Sequence, residues 1–111
     1  MSLQQTIENI WDNRDLLQKE ESKTAIREVI ALLDKGELRV AEPTENGWQV
    51  NEWVKKAVVM YFPIQKMETI EVGPFEFHDK IPLKKNYAEK GVRVVPHAVA
   101  REGAYISPGV I

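Results

Sequence analysis

The sequence predicts an α+β protein: a small helical domain carrying one β-hairpin, followed by a closing unit of a different period. Three observations predict it. Apolar residues recur at helical spacing in three places, an Asn-Gly pair separates two short alternating runs, and the last residues beat in sixes. At 111 residues with 43% hydrophobic and 29% charged content, one compact core is the expectation for most of the chain. We place the domain boundary between 91 and 92, giving an α+β domain over 1–91 and a junction strand with repeat rungs over 92–111.

Leu3, Ile7, Ile10 and Trp11 form one apolar stripe and open the chain as a helix, which Leu16 and Leu17 extend. The polar run "QKEESKT" interrupts it. A second helix starts at Thr24, a good N-cap, and buries Ile26, Val29, Ile30 and Leu33. Lys35 suits its negative end, and Gly36 can take the left-handed stop conformation. Leu38 and Val40 then alternate with Glu37 and Arg39, and Trp48 and Val50 alternate around Gln49. Asn46-Gly47 between them reads as a tight hairpin turn, with the first strand ending before Pro43 or lying at an edge.

Asn51 caps a third helix whose stripe is Val54, Ala57, Val58 and Tyr61, stopped by Pro63. "METIEV" reads as a short strand, and "GPFEFHDKIPLK" as an ordered loop or broken strand. "NYAEKG" is one helical turn closed by Gly91, and "VRVVPHAVA" an extended segment.

The closing stretch "AVAREGAYISPGVI" places Ala98, Ala104 and Val110 in one phase of six, Ala100 and Ile106 in a second, and Gly103 and Gly109 in a third. A left-handed parallel β-helix turns a corner every six residues. Its narrow interior needs one aliphatic plug per hexapeptide, here Ile106, with a small residue two before it, here Ala104. Solenoids need about three repeats to bury a core, so the reading is a first partial coil. The competing reading is a surface strand between two turns.

The bulk numbers exclude several classes. The net charge of −2 gives no basic surface for nucleic acid. No apolar run reaches the roughly 20 residues of a membrane helix. Without cysteine there are no disulfides, thiolate chemistry or Cys-based zinc sites, and a cytoplasmic location is the expectation.

The stretches "VIALLDKGELRVAE", "GWQVNEWVKKAVVMYF", "FHDKIPLK" and "GVRVVPHAVAREGAYISPGVI", in that order, resemble the amino-terminal part of the tetrahydrodipicolinate N-succinyltransferases of bacterial lysine and diaminopimelate synthesis. The resemblance implies an acyltransferase that moves succinyl from succinyl-CoA to the amine of the ring-opened dicarboxylate. It implies no tightly bound cofactor, a homotrimer built through the β-helix, and a general-base aspartate beyond residue 111. No catalytic residue then falls within this chain, which alone should be inactive. Arg93 in "GVRVVP" matches the family segment whose arginine holds the substrate, and a guanidinium fork suits a carboxylate. Taken by itself, Arg93 reads as a solvated arginine on an edge strand.

The other polar candidates read as structural. His78, Asp79 and Glu76 are two or three nitrogen and oxygen groups on a loop, which do not make a metal site, and read as fixing the loop by hydrogen bonds. Lys80, Lys84 and Lys85 read as a solvated face rather than an anion site, as do Lys55 and Lys56. Trp48 and Trp53 read as core anchors. His97 sits at the domain junction with no partner named by the sequence. The alternative to the enzyme is a non-enzymatic helix–hairpin–helix module that binds a partner or self-associates.

Overall fold

A computed structural model describes residues 1–111. Its centre is three helices packed on one another: α1 (Leu3–Asp12), α2 (Glu20–Asp34) and α3 (Glu52–Ile64). Their apolar stripes meet in a single cluster, with Ile7, Ile26, Val54 and Met60 fully buried, so the helical spacing translated directly into the core. A 3₁₀ turn over Arg14–Gln18 joins the first two helices and lets Leu16 and Leu17 pack against that cluster. Two hairpins, β1 (Ala41–Thr44) with β2 (Gly47–Val50) and β3 (Glu68–Val72) with β4 (Phe75–Asp79), project from this centre, and a short α4 (Tyr87–Lys90) precedes the closing segment.

The helix ends are chemically defined. Ser2 and Gln5 form a reciprocal capping box on α1, each side chain bonding the other's backbone N–H. Helix α2 stops in a Schellman motif: Glu37 N–H reaches Leu32 O at 2.9 Å and Gly36 N–H reaches Leu33 O at 3.0 Å, with Gly36 at φ +77°.

Several elements differ from the sequence expectation. Helix α2 begins four residues earlier than Thr24, because Glu20 and Glu21 occupy its first turn and satisfy the positive end of the dipole. Leu38 and Val40 are half-buried against the core but lie before the strand, which runs over Ala41–Thr44 and includes Pro43. Every residue of a two-stranded ladder lies at an edge, so the missing proline N–H is tolerated there. The turn residues are Glu45 and Asn46, and Gly47 at φ +113° opens β2. Asn51 does precede α3, but its side chain donates to Arg39 O at 2.8 Å instead of capping the helix. Pro63 sits inside the last turn of α3, which ends one residue later at Ile64. Residues 75–79, expected as an ordered loop or broken strand, form the strand β4. Pairing joins Ile70 to Phe77 and Val72 to Phe75, so one hairpin face is apolar except at its Glu68–Asp79 end, and the other carries Glu71, Glu76, Thr69 and His78.

The closing segment contains no β-strand, and residues 92–95 are not paired as one. Its turns nevertheless fall at 96–97, 102–103 and 108–109, six residues apart. Each is closed by a backbone bond between residues three apart: Ala98 N–H to Val95 O, Ala104 N–H to Arg101 O and Val110 N–H to Ser107 O. Gly103 and Gly109 take φ +104° and +91° at the second and third corners. The chain then returns to where it began: Gly109 N–H bonds Gly91 O at 2.7 Å and Arg93 N–H bonds Val110 O at 3.0 Å. The result is one circuit with three corners. No second circuit stacks on it. Ile106 is half-buried and Ala104 exposed.

Candidate functional site

Arg93 lies on the first side of this circuit. Its neighbour Val92 is buried, Arg93 itself is exposed, and the guanidinium makes no hydrogen bond or ion pair within the chain. Its backbone is fixed at both flanks, by the Arg93–Val110 bond and by Val92 N–H to Tyr87 O at 3.0 Å. An exposed, unpaired guanidinium on a held backbone can present a two-pronged donor to a carboxylate.

The second corner is where the circuit joins the helical body. Arg101 donates to Asp79 Oδ2 at 2.7 Å, Tyr61 Oη donates to Glu102 Oε1 at 3.1 Å, and Gly103 N–H donates to Asp34 Oδ1 at 2.9 Å. Lys84 Nζ reaches the same Asp34 oxygen at 2.5 Å, with its side chain only 3% exposed. Backbone bonds from Lys84 N–H to Ala100 O and from Glu102 N–H to Pro82 O, both 2.9 Å, run alongside.

These contacts set the titration of the groups involved. Burial pulls the Asp34 carboxyl upward, but the Lys84 hydrogen bond, the Gly103 N–H and the Lys84 charge outweigh it and hold it below the usual carboxylate value. Asp79 is also lowered, first by the Lys80 N–H and then by Arg101. Tyr61 is pushed up to about 12 by burial, then by the Glu102 charge and hydrogen bond.

An open cleft of about 350 Å³ lies beside this junction, between the end of α2, α4 and residues 105–108. Asp34, Lys84, Lys90 and Tyr105 line it, and Arg93 does not.

The remaining candidates are scattered. His78 Nδ1 meets Thr69 Oγ1 at 2.9 Å on the polar face of the second hairpin. His97 stands edge-on to Phe75, ring centroids 4.6 Å apart. No three His, Asp or Glu side chains come together to hold a metal ion. Lys80 and Lys85 contribute backbone carbonyls, to Gln65 and Lys90. Lys84 corrects the solvated-face expectation: it is buried at the junction, where it pairs with the Asp34 oxygen that also accepts from the Gly103 N–H. Trp48 corrects the core-anchor expectation. It is 69% exposed, since the first hairpin lies off the core, whereas Trp53 does pack against the buried cluster. Sequence reasoning missed Asp34, Glu102 and Arg101. Asp34 carried one signal, an acid in the last turn of a helix, where the dipole disfavours negative charge and a cation is needed.

The family described as "Tetrahydrodipicolinate N-succinyltransferase N-terminal" matches residues 2–64. The chain is 45% identical over 121 aligned residues to the 2,3,4,5-tetrahydropyridine-2,6-dicarboxylate N-succinyltransferase of Bordetella petrii, covering 100% of this chain and 44% of that protein. It is 46% identical to the protein of the same name from Alkalilimnicola ehrlichii, covering 96% and 43%. With that from Coxiella burnetii it shares 40% identity, covering 98% and 43%. The chain thus spans less than half the length of these curated relatives.

Proposed function

The chain belongs to the tetrahydrodipicolinate N-succinyltransferase family, and from that premise we propose that it acts as the amino-terminal domain of an enzyme that succinylates the amine of ring-opened tetrahydrodipicolinate. The observation that carries the reading is identity of 40–46% running through essentially the whole chain to proteins bearing that activity in their names. The three-cornered circuit supports it as the first coil of a left-handed parallel β-helix. The corners recur every six residues, and the return bonds join residues about one coil apart.

In the proposed reaction the neutral substrate amine attacks the thioester carbonyl of succinyl-CoA. A C–N bond forms, the C–S bond breaks, a base takes the amine proton and the CoA sulfur leaves as thiolate to be protonated. Arg93 binds one carboxylate of the dianionic acceptor through its fork and so orients the amine. We place the general base beyond residue 111. The chain by itself is then inactive, and the enzyme works as a homotrimer assembled through its β-helix, with succinyl-CoA as co-substrate.

The test is Arg93→Lys in the full-length enzyme. Lysine keeps the charge and loses the fork, so the KM for the dicarboxylate should rise by about tenfold or more while that for succinyl-CoA stays within about twofold. Unchanged dicarboxylate kinetics would remove Arg93 from the site. A second reading, a non-enzymatic association module, draws on the apolar face of the second hairpin, where Val72, Phe75 and Phe77 are exposed.

A further inference from the structure

The second corner of the circuit is held from three directions by three consecutive residues. Arg101 is bound by β4 through Asp79, Glu102 by α3 through Tyr61, and Gly103 by the end of α2 through Asp34. The partners come from segments far apart in sequence. Each of the four stretches that carry the family resemblance supplies a member: Asp34 from the first, Tyr61 from the second, Asp79 and Lys84 from the third, and the corner itself from the fourth.

The centre of this arrangement is costly unless it is assembled. Lys84 is the one charged residue buried in the protein, and an ammonium out of water needs a close counter-charge. Asp34 stands in the last turn of α2, where an acid is disfavoured. Each is poorly placed alone and each is satisfied by the other, and the Gly103 N–H donates to the same Asp34 oxygen that Lys84 Nζ reaches. That convergence requires the circuit to sit in one position against the helices.

We propose that Asp34 is a positioning residue: by holding the Gly103 N–H and the Lys84 ammonium together it fixes the closing circuit, and with it Arg93, relative to the helical body. That Arg93 is what the substrate gains from this rests on the function proposed above.

Two variants separate positioning from stability. Asp34→Ala removes the acceptor, whereas Asp34→Asn keeps an oxygen for Gly103 but removes the charge that Lys84 needs. Amide exchange and residual dipolar couplings are measured on the 111-residue chain. In Asp34→Ala, Gly103 exchange should rise about tenfold beyond any change at Ile26 and Val29, and amides 92–110 should lose their fixed orientation to α2 and α3. Asp34→Asn should melt at lower temperature yet keep the relative protection of Gly103 and that orientation. Lys84→Met, which leaves the Asp34–Gly103 bond in place, should behave like Asp34→Asn if Asp34→Ala proves too unstable to study. Gly103 protection that falls only in step with the core, or equally in the Ala and Asn variants, overturns the proposal. A kinetic arm in the full-length enzyme keeps the two readings apart. Asp34→Ala should raise the dicarboxylate KM without changing that of succinyl-CoA, and Asp34→Asn should restore it. If the circuit loosens and the dicarboxylate KM does not move, the role of Arg93 falls while the positioning role of Asp34 stands.

Discussion

Tyr61 projects from the inner face of α3, and its ring fills the core while its hydroxyl reaches Glu102. Burial and the neighbouring carboxylate both penalise the phenolate, which is why its pKa rises to about 12. The sign follows from linkage. Folding favours the neutral phenol, so this contribution is fully present below the unfolded value of about 10 and is lost as pH rises from there towards 12. Urea titrations at stepped pH should therefore show a loss of stability across that window which Tyr61→Phe lacks. At neutral pH the same variant should be less stable by about 1 kcal/mol, the typical net value of one hydrogen bond. A Phe variant with the same alkaline slope would locate the titrating group elsewhere. Tyr61 was legible as a core residue from its place in the stripe. Its hydroxyl partner was not, because Glu102 follows 41 residues later and only the fold brings the two together. Lys84 was misread for the same reason. In sequence it is one of a pair of lysines after a proline, and nothing local says that the end of α2 will close over it.

The elements were legible where a periodic run ended in a chemical stop signal. Gly36 is the clearest case, since the Schellman bonds require its positive φ. Its hydrogen has a second use that no pattern reveals. A Cβ there would lie 2.8 Å from Tyr105 Cδ1, so the ring of the closing segment rests directly on the helix stop. Gly36→Ala should cost at least about 1 kcal/mol from backbone conformation alone. It should also displace Tyr105, visible as a shift of the Tyr105 ring resonances. A stability loss without that shift would mean that the ring does not pack on Gly36 in solution. The second hairpin was only half legible. The alternation of Phe75 and Phe77 with Glu76 and His78 is a strand pattern, but Gly73-Pro74 before it and Pro82 after it carried equal weight as loop signals. The six-residue beat did mark the corners of the closing segment. The sides between those corners contain no strand.

At the scale of the whole molecule the core is confined to one region. The radius of gyration is 15.9 Å, against about 13 Å for a compact chain of this length. The excess comes from two hairpins and a circuit that project from three helices, and only 15 of 111 residues are buried. Burial, not hydrophobicity, should then decide which apolar side chains stabilise the isolated chain. Ile26 is fully buried between the helices, and Ile26→Ala should cost about 2–5 kcal/mol from lost transfer energy and the cavity left behind. Phe77 is larger but 41% exposed on the second hairpin, whose strands pack on each other and not on the helices. Phe77→Ser should leave global stability within about 0.5 kcal/mol, because its loss weakens a hairpin that lies off the buried core. Denaturant unfolding followed by tryptophan fluorescence reads both variants. If Phe77→Ser instead lowers the midpoint by an amount that grows with protein concentration, the hairpin is covered by another copy of the chain. Association would then account for an apolar face that a monomer leaves in water.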